Sequence, residues 1–143
     1  MPVRILVADD QEAIRRGIRS LLSCRSDWLI CGEATDGYEA TELARELRPD
    51  VILMDLSMPR MDGIEATCLI RRELPESGVV IVSQNDPAVL SRQAQKIGAA
   101  GWVAKNSLAS DLIPAIQETI AGRNRVRAGV PDSPQRQEKW DEP

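Results

Sequence analysis

Residues 51–63 read VILMDLSMPRMDG. The first four are apolar at consecutive positions and Asp55 closes them, which suits a short strand buried on both faces of a parallel sheet. A helix is expected to follow from about Gly63 to Leu74. Four other runs share the character of the first: Val3–Ala8, Trp28–Ala34, Val79–Ser83 and Gly101–Lys105. Between them lie longer stretches with helical spacing of apolar residues. Ile14, Ile18, Leu21 and Leu22 mark one stripe; Ala40, Leu43, Ala44 and Leu47 mark the next at i, i+3, i+4, i+7. Leu90, Ala94 and Ile97 mark a later one, and Ile113, Ile116 and Ile120 the last. The punctuation agrees with the stripes. Asp36 and Glu39 form a capping-box pattern, and Pro49 disfavours helical geometry at Arg48. Asp86, Pro87 and Gly98 frame the fourth helix, while Ser110 as N-cap would place Pro114 in the first turn of the fifth.

Five strands alternating with five helices make a βα repeat. Right-handed crossovers leave few arrangements, of which the commonest has strand order 2-1-3-4-5: a single doubly wound, flavodoxin-like α/β domain. A chain of 143 residues and 15.8 kDa is the size of one such domain and leaves little room for a second. After Gly122 the sequence RNRVRAGVPDSPQRQEKWDEP loses apolar periodicity, so residues 1–122 read as the domain and 123–143 as a linker or tail, with Trp140 given little weight.

Composition removes several function classes. Eighteen Lys and Arg against 22 Asp and Glu give a net charge of -4, which opposes a broad nucleic-acid-binding field. Histidine is absent from the sequence, which excludes Ser-His-Asp and Cys-His nucleophilic schemes. Cys24, Cys31 and Cys68 form no CxxC pair and read as free buried thiols. No run of eighteen apolar residues and no signal-peptide h-region is present, so the chain reads as cytosolic, without a membrane partner.

In sheets of this order, ligands sit beyond the carboxyl ends of the strands where the order reverses, between strands one and three. Asp9 and Asp10 end strand one, Asp55 ends strand three, Ser83 strand four and Lys105 strand five. Taken singly, each has a structural explanation as cap, turn residue or solvated charge. Together they converge on one rim. Two carboxylates about 4 Å apart repel by about 4 kcal/mol at an effective dielectric of about 20, so three acids call for protonation, a cation or both. Oxygen-only ligands favour Mg²⁺ over zinc. A carboxylate beside such an ion, with a hydroxyl and an ammonium at hand, has the parts for phosphoryl transfer to Asp55.

ILVADD, VILMDLSMPRMDG, VVIVS and GAAGWVAK together resemble the receiver domains of bacterial two-component response regulators, particularly the NarL/LuxR type, over roughly residues 3–121. The resemblance implies that Asp55 is the phosphoacceptor. It also implies that Asp10, Asp55 and the backbone carbonyl of Ser57 ligate Mg²⁺, with Asp9 acting through water. Ser83 and Lys105 match the phosphoryl-binding hydroxyl and lysine, and Trp102 the aromatic that swings inward on strand five. Ser57 and Asn85 match positions that tune phosphoaspartate lifetime. Gln84 stands where a small residue is common and Gln11 where relatives carry another polar or acidic residue, changes that slow access to Asp55 while retaining the site. The implied donor is a histidine on a sensor kinase, and DNA would be reached only through an output domain absent from this chain. Dimerisation through the first and fifth helices, or around the fourth, is left open by the stripes.

Other readings fit less well. A phosphatase using DxD chemistry would need a second acid two residues after its nucleophile, where Ser57 stands. GxGxxG and GxxxxGK[ST] are absent, which disfavours nucleotide enzymes, and the acidic DDQE loop opposes a flavin phosphate. A phosphorylation-independent pseudo-receiver, acting as a protein-interaction module, is the remaining alternative.

Overall fold

The computed structural model describes residues 2–127. Its elements are β1 (Val3–Ala8), α1 (Glu12–Leu22), β2 (Trp28–Ala34), α2 (Gly37–Leu47), β3 (Val51–Asp55), α3 (Gly63–Glu73), β4 (Gly78–Ser83), α4 (Pro87–Lys96), β5 (Gly101–Ala104) and α5 (Leu108–Arg127). A 3₁₀ turn over Lys105–Ser107 leads into α5. The strands form one parallel sheet in the order β2-β1-β3-β4-β5, as the alternation predicts.

Because side chains alternate across a strand, each strand feeds two cores. Leu6, Ala8, Ile52, Met54 and Ile81 pack on one face with Ala40 and Ala44 of α2, Ala66 and Ile70 of α3, and Leu90 and Ala94 of α4. Ile5, Val7, Leu53, Val80 and Val82 pack on the other with Ile18 and Leu22 of α1 and Leu112 and Ile116 of α5. β3 is buried at all five positions, in keeping with its unbroken apolar run.

The expected caps form. Asp36 accepts from the Glu39 N–H at 2.8 Å, while Glu39 reaches back to the Thr35 N–H at 2.7 Å. Asp86 caps α4, with Pro87 at its start and Gly98 at φ 75° just beyond it. Arg48 ends α2 in the left-handed region, φ 46°, rather than in the extended geometry usual before proline. This conformation keeps its N–H on the Ala44 carbonyl at 2.9 Å.

One expectation about the thiols and one about α5 need correction. Cys24 and Cys68 are exposed and Cys31 is half-buried, so they do not lie in the core. Ser110 is not the N-cap of α5: the 3₁₀ turn starts the winding earlier, and the Ser110 hydroxyl donates to the Ser107 carbonyl at 3.3 Å. Pro114 therefore lies inside the helix, on its exposed side, and the carbonyl it leaves unpaired belongs to exposed Ser110, where water can satisfy it. The expected stripe of Ile113, Ile116 and Ile120 packs on the core shared with α1, with Ile116 fully buried and Leu112 and Thr119 buried beside it. The helix continues past Gly122, so residues 123–127 are helical. The remainder of the expected tail, 128–143 with Trp140, lies outside the described residues.

The loop from β3 to α3 is held by close backbone approach. The Gly63 N–H donates to the Leu56 carbonyl at 3.0 Å, and a Cβ on Gly63 would lie 2.0 Å from the Asp55 carbonyl oxygen. Gly63→Ala is therefore expected to destabilise the fold by about 2 kcal/mol or more through forced backbone displacement. A methyl group added at Gly17, inside α1, would meet nothing within 4 Å, so Gly17→Ala is expected to stabilise by about 0.5–1 kcal/mol. Urea denaturation of the two variants checks both signs.

Candidate functional site

Adjacency of β1 and β3 decides the site. Their register pairs Ala8 with Met54, so the residues that follow, Asp9 and Asp55, emerge side by side. The Asp9 N–H donates to the Ala34 carbonyl at 3.0 Å, and the Asp9 carbonyl accepts from Arg15 Nη1 at 2.7 Å. Arg15 is in turn paired with Glu33 at 3.0 Å, so α1 and β2 together hold the Asp9 backbone. Asp9 and Asp55 are only 1% and 3% exposed, whereas Asp10 faces solvent. The three can each present a carboxylate oxygen within 4.8 Å of the others.

One ammonium faces them. Lys105 Nζ lies 2.9 Å from Asp9 Oδ2, 3.4 Å from Asp55 Oδ2 and 2.9 Å from Gln11 Oε1. The two carboxylate contacts are ion pairs without hydrogen-bond alignment, and both Oδ2 atoms are buried with no hydrogen-bond partner among the described residues. Asp55 Oδ1 accepts from the Ser57 N–H at 3.3 Å, and Asp9 Oδ1 from the Gln11 N–H at 2.8 Å. Three acids against one lysine leave an excess of two negative charges. Two buried carboxylate oxygens that share one ammonium, together with that excess, fit a hard divalent cation at the acidic triad.

Above the triad opens a cleft of about 200 Å³ lined by Asp10, Gln11, Asp55, Ser57, Ser83, Gln84, Asn85 and Lys105. The expected polar residues thus meet in one place, with Asp9 beneath them. Lys105 opens the 3₁₀ turn rather than ending β5. Ser83 Oγ accepts from the Asn85 N–H at 3.3 Å, and Asn85 Nδ2 donates to Gln93 Oε1 of α4 at 2.9 Å. Trp102 is not among the cleft residues. It packs against the core that contains Leu90 and Ala94, with its indole nitrogen buried and without a hydrogen-bond partner among the described residues.

Sequence reasoning missed three supports: Gln11 as a partner of Lys105, Arg15 on the Asp9 carbonyl, and the Gly63 backbone against Asp55. Only Gly63 left a signal, in the MDG of the motif. A fourth support, exposed Arg60 at φ 66°, pairs with Asp36 at 2.9 Å and ties the β3–α3 loop to the start of α2.

Burial, then the neighbouring Asp9 charge, pushes the Asp55 carboxyl up from 3.8 to about 6, against the opposing pull of Lys105 and the Ser57 N–H. The folded state therefore holds this proton where the unfolded chain has released it. Metal-free stability should fall as pH rises from about 4 through about 6. In EDTA, Asp55→Asn is expected to be more stable than wild type by about 1–3 kcal/mol at pH 7, and the gain should vanish near pH 4. Urea melts at the two pH values check it.

Residues 5–117 match the response regulator receiver domain family. VraR of Staphylococcus saprophyticus, a response regulator protein, is 41% identical over 130 residues, covering 91% of this chain and 62% of VraR. The transcriptional regulatory protein YxjL of Bacillus subtilis is 38% identical over 120 residues, covering 84% of this chain and 55% of YxjL. The chain thus spans less than two thirds of these curated relatives. Among solved structures, the signal receiver domain of NarL from Mycobacterium tuberculosis superposes with a TM-score of 0.77 at 36% identity, covering 85% of this chain and 98% of that one. A LuxR-family response regulator from Aurantimonas superposes with a TM-score of 0.76 at 32% identity, covering 98% and 96%. With its fold, its acidic triad and these similarities taken together, the chain belongs to the response regulator receiver domain family and resembles its NarL/LuxR-type members.

Proposed function

We propose that the chain accepts a phosphoryl group on Asp55 from a phosphohistidine of a sensor kinase, in a Mg²⁺-dependent step. The single observation that carries this reading is the meeting of Asp9, Asp10, Asp55 and Lys105 at one cleft. Asp10, Asp55 and the Ser57 carbonyl would hold the ion, with Asp9 acting on it through water. Bound Mg²⁺ supplies neutralisation of the acids and of the entering phosphoryl oxygens.

A carboxylate oxygen of Asp55 forms the new O–P bond as the P–N bond of the phosphoimidazole breaks. The electron pair stays on the imidazole nitrogen, which takes a proton from water. Lys105 donates to a phosphoryl oxygen as charge develops there, and Ser83 adds a hydroxyl donor from β4. The chain's lack of histidine is compatible with a donor on another protein. Release follows as slow hydrolysis of the acyl phosphate, with Ser57, Gln84 and Asn85 at the cleft mouth setting water access. The chain modifies itself and turns over no separate substrate.

Signalling follows from the contacts of Ser83. Turning its hydroxyl to the phosphoryl group removes the acceptor of the Asn85 N–H, and Asn85 is tied to α4 through Gln93. Trp102, packed where α4 meets β5, is the aromatic that senses the shift. The output is transcriptional, exerted through a DNA-binding module. That proposal draws on YxjL, the relative named as a transcriptional regulatory protein, and on a DNA-binding LuxR-family response regulator from Staphylococcus aureus, similar at 25% identity with a TM-score of 0.74. Action in the cytoplasm and a homodimeric active form belong to the same reading.

Incubation with acetyl phosphate and Mg²⁺ is expected to add one phosphate to the intact mass. The gain should disappear with EDTA or in Asp55→Asn, and no gain with several donors overturns the reading. Lys105→Ala is expected to slow transfer by about 10²–10³-fold, the cost typical of removing one donor to a developing oxyanion. Stopped-flow or quenched intact-mass time courses measure it.

A further inference from the structure

Gln11 sits at the N-cap of α1, yet its side chain makes no capping hydrogen bond. Glutamine is outside the group of residues that cap well, so helix stability does not account for it. Its side-chain oxygen instead accepts from Lys105 Nζ at 2.9 Å, across 94 residues of sequence. Its own N–H donates to Asp9 Oδ1 at 2.8 Å. One exposed residue therefore grips both members of the Asp9–Lys105 pair.

An ammonium has three N–H donors. Around Lys105 Nζ stand three acceptor oxygens, those of Gln11 and Asp9 at 2.9 Å and that of Asp55 at 3.4 Å. The longest contact is the one to Asp55. When phosphoryl oxygens arrive, Lys105 must turn a donor toward them. The amide of Gln11 is the neutral acceptor of the three, and its hydrogen bond lacks the charge attraction that draws the ammonium to the two carboxylates.

We propose that Gln11 is a positioning residue for phosphoryl transfer, whose side-chain oxygen holds Lys105 back from Asp55 and yields the ammonium to the phosphoryl group once it binds. The proposal rests on the reading of Asp55 as phosphoacceptor. Without Gln11, Lys105 settles on the Asp55 carboxylate and masks the attacking oxygen.

Two variants separate this role from a structural one. Gln11→Ser supplies a good N-cap but cannot reach Lys105; Gln11→Met keeps the length and lacks the oxygen. Gln11→Ser is expected to melt at or above the wild-type temperature. Both variants should lower the maximal rate of phosphorylation by acetyl phosphate about three- to tenfold, the factor one net hydrogen bond carries, with little change in half-saturating donor. The ¹⁵N ammonium resonance of Lys105 gives a second readout. It should differ from wild type in both unphosphorylated variants and coincide with wild type once Mg²⁺ and beryllofluoride are bound. Unchanged rates in both variants, or a resonance difference that persists with beryllofluoride, overturns the role given to Gln11 alone. A wild type that takes no phosphoryl group overturns the reading of Asp55, and the role of Gln11 with it.

Discussion

Repulsion among three carboxylates held at the ends of neighbouring strands is the constraint around which this molecule is organised. At separations of 4.8 Å or less, like charges in a partly desolvated cleft oppose one another by several times the thermal energy. The chain keeps them there because their positions are not theirs to choose. β1 and β3 are packed into both cores, and their parallel register places Asp9 beside Asp55. The apolar interior thus maintains a polar arrangement that its own electrostatics disfavour. Lys105 relieves part of the repulsion, and a divalent ion fits the remainder.

The support beneath the acids is tied down by backbone hydrogen bonds and buried contacts. Arg15 grips the Asp9 carbonyl and is itself held by Glu33. Gly63 lets the chain after β3 return against Asp55, and Gly37 donates to the Met61 carbonyl at 2.8 Å, so the β3–α3 loop is fastened at both α3 and α2. The Arg60–Asp36 pair adds a surface contact, of small energetic weight given the exposure of Arg60. These contacts fix backbone, and backbone fixes where the carboxylates point.

The cleft mouth is built differently. The side chains there are joined by one hydrogen bond each, from Lys105 Nζ to Gln11, from the Asn85 N–H to Ser83 and from Asn85 Nδ2 to Gln93, and Lys105 and Ser83 can each leave theirs to donate to an incoming oxygen. A tied-down acidic floor beneath an exchangeable polar rim suits a site that must bind an ion firmly and then respond to one added group. Trp102 stands outside that rim, and its buried indole nitrogen lacks a hydrogen-bond partner among the described residues.

Local sequence determined much of this protein. Five apolar runs, the helical stripes and the Asp36, Asp86 and Pro49 signals settled the elements, because burial on two faces and capping are written in neighbouring residues. The convergence of Asp9, Asp10, Asp55, Ser83 and Lys105 was legible as well, since strand order alone brings strand ends together. The start of α5 was less so: the 3₁₀ turn over Lys105–Ser107 begins the winding before Ser110, so the hydroxyl expected to cap the helix lies inside it. The tertiary structure alone decided that the Gln11 side chain would serve Lys105 instead of its own helix and that Arg15 would hold Asp9. Each joins groups whose proximity is set by the packing of separate elements, and spacing along the chain carries no record of it.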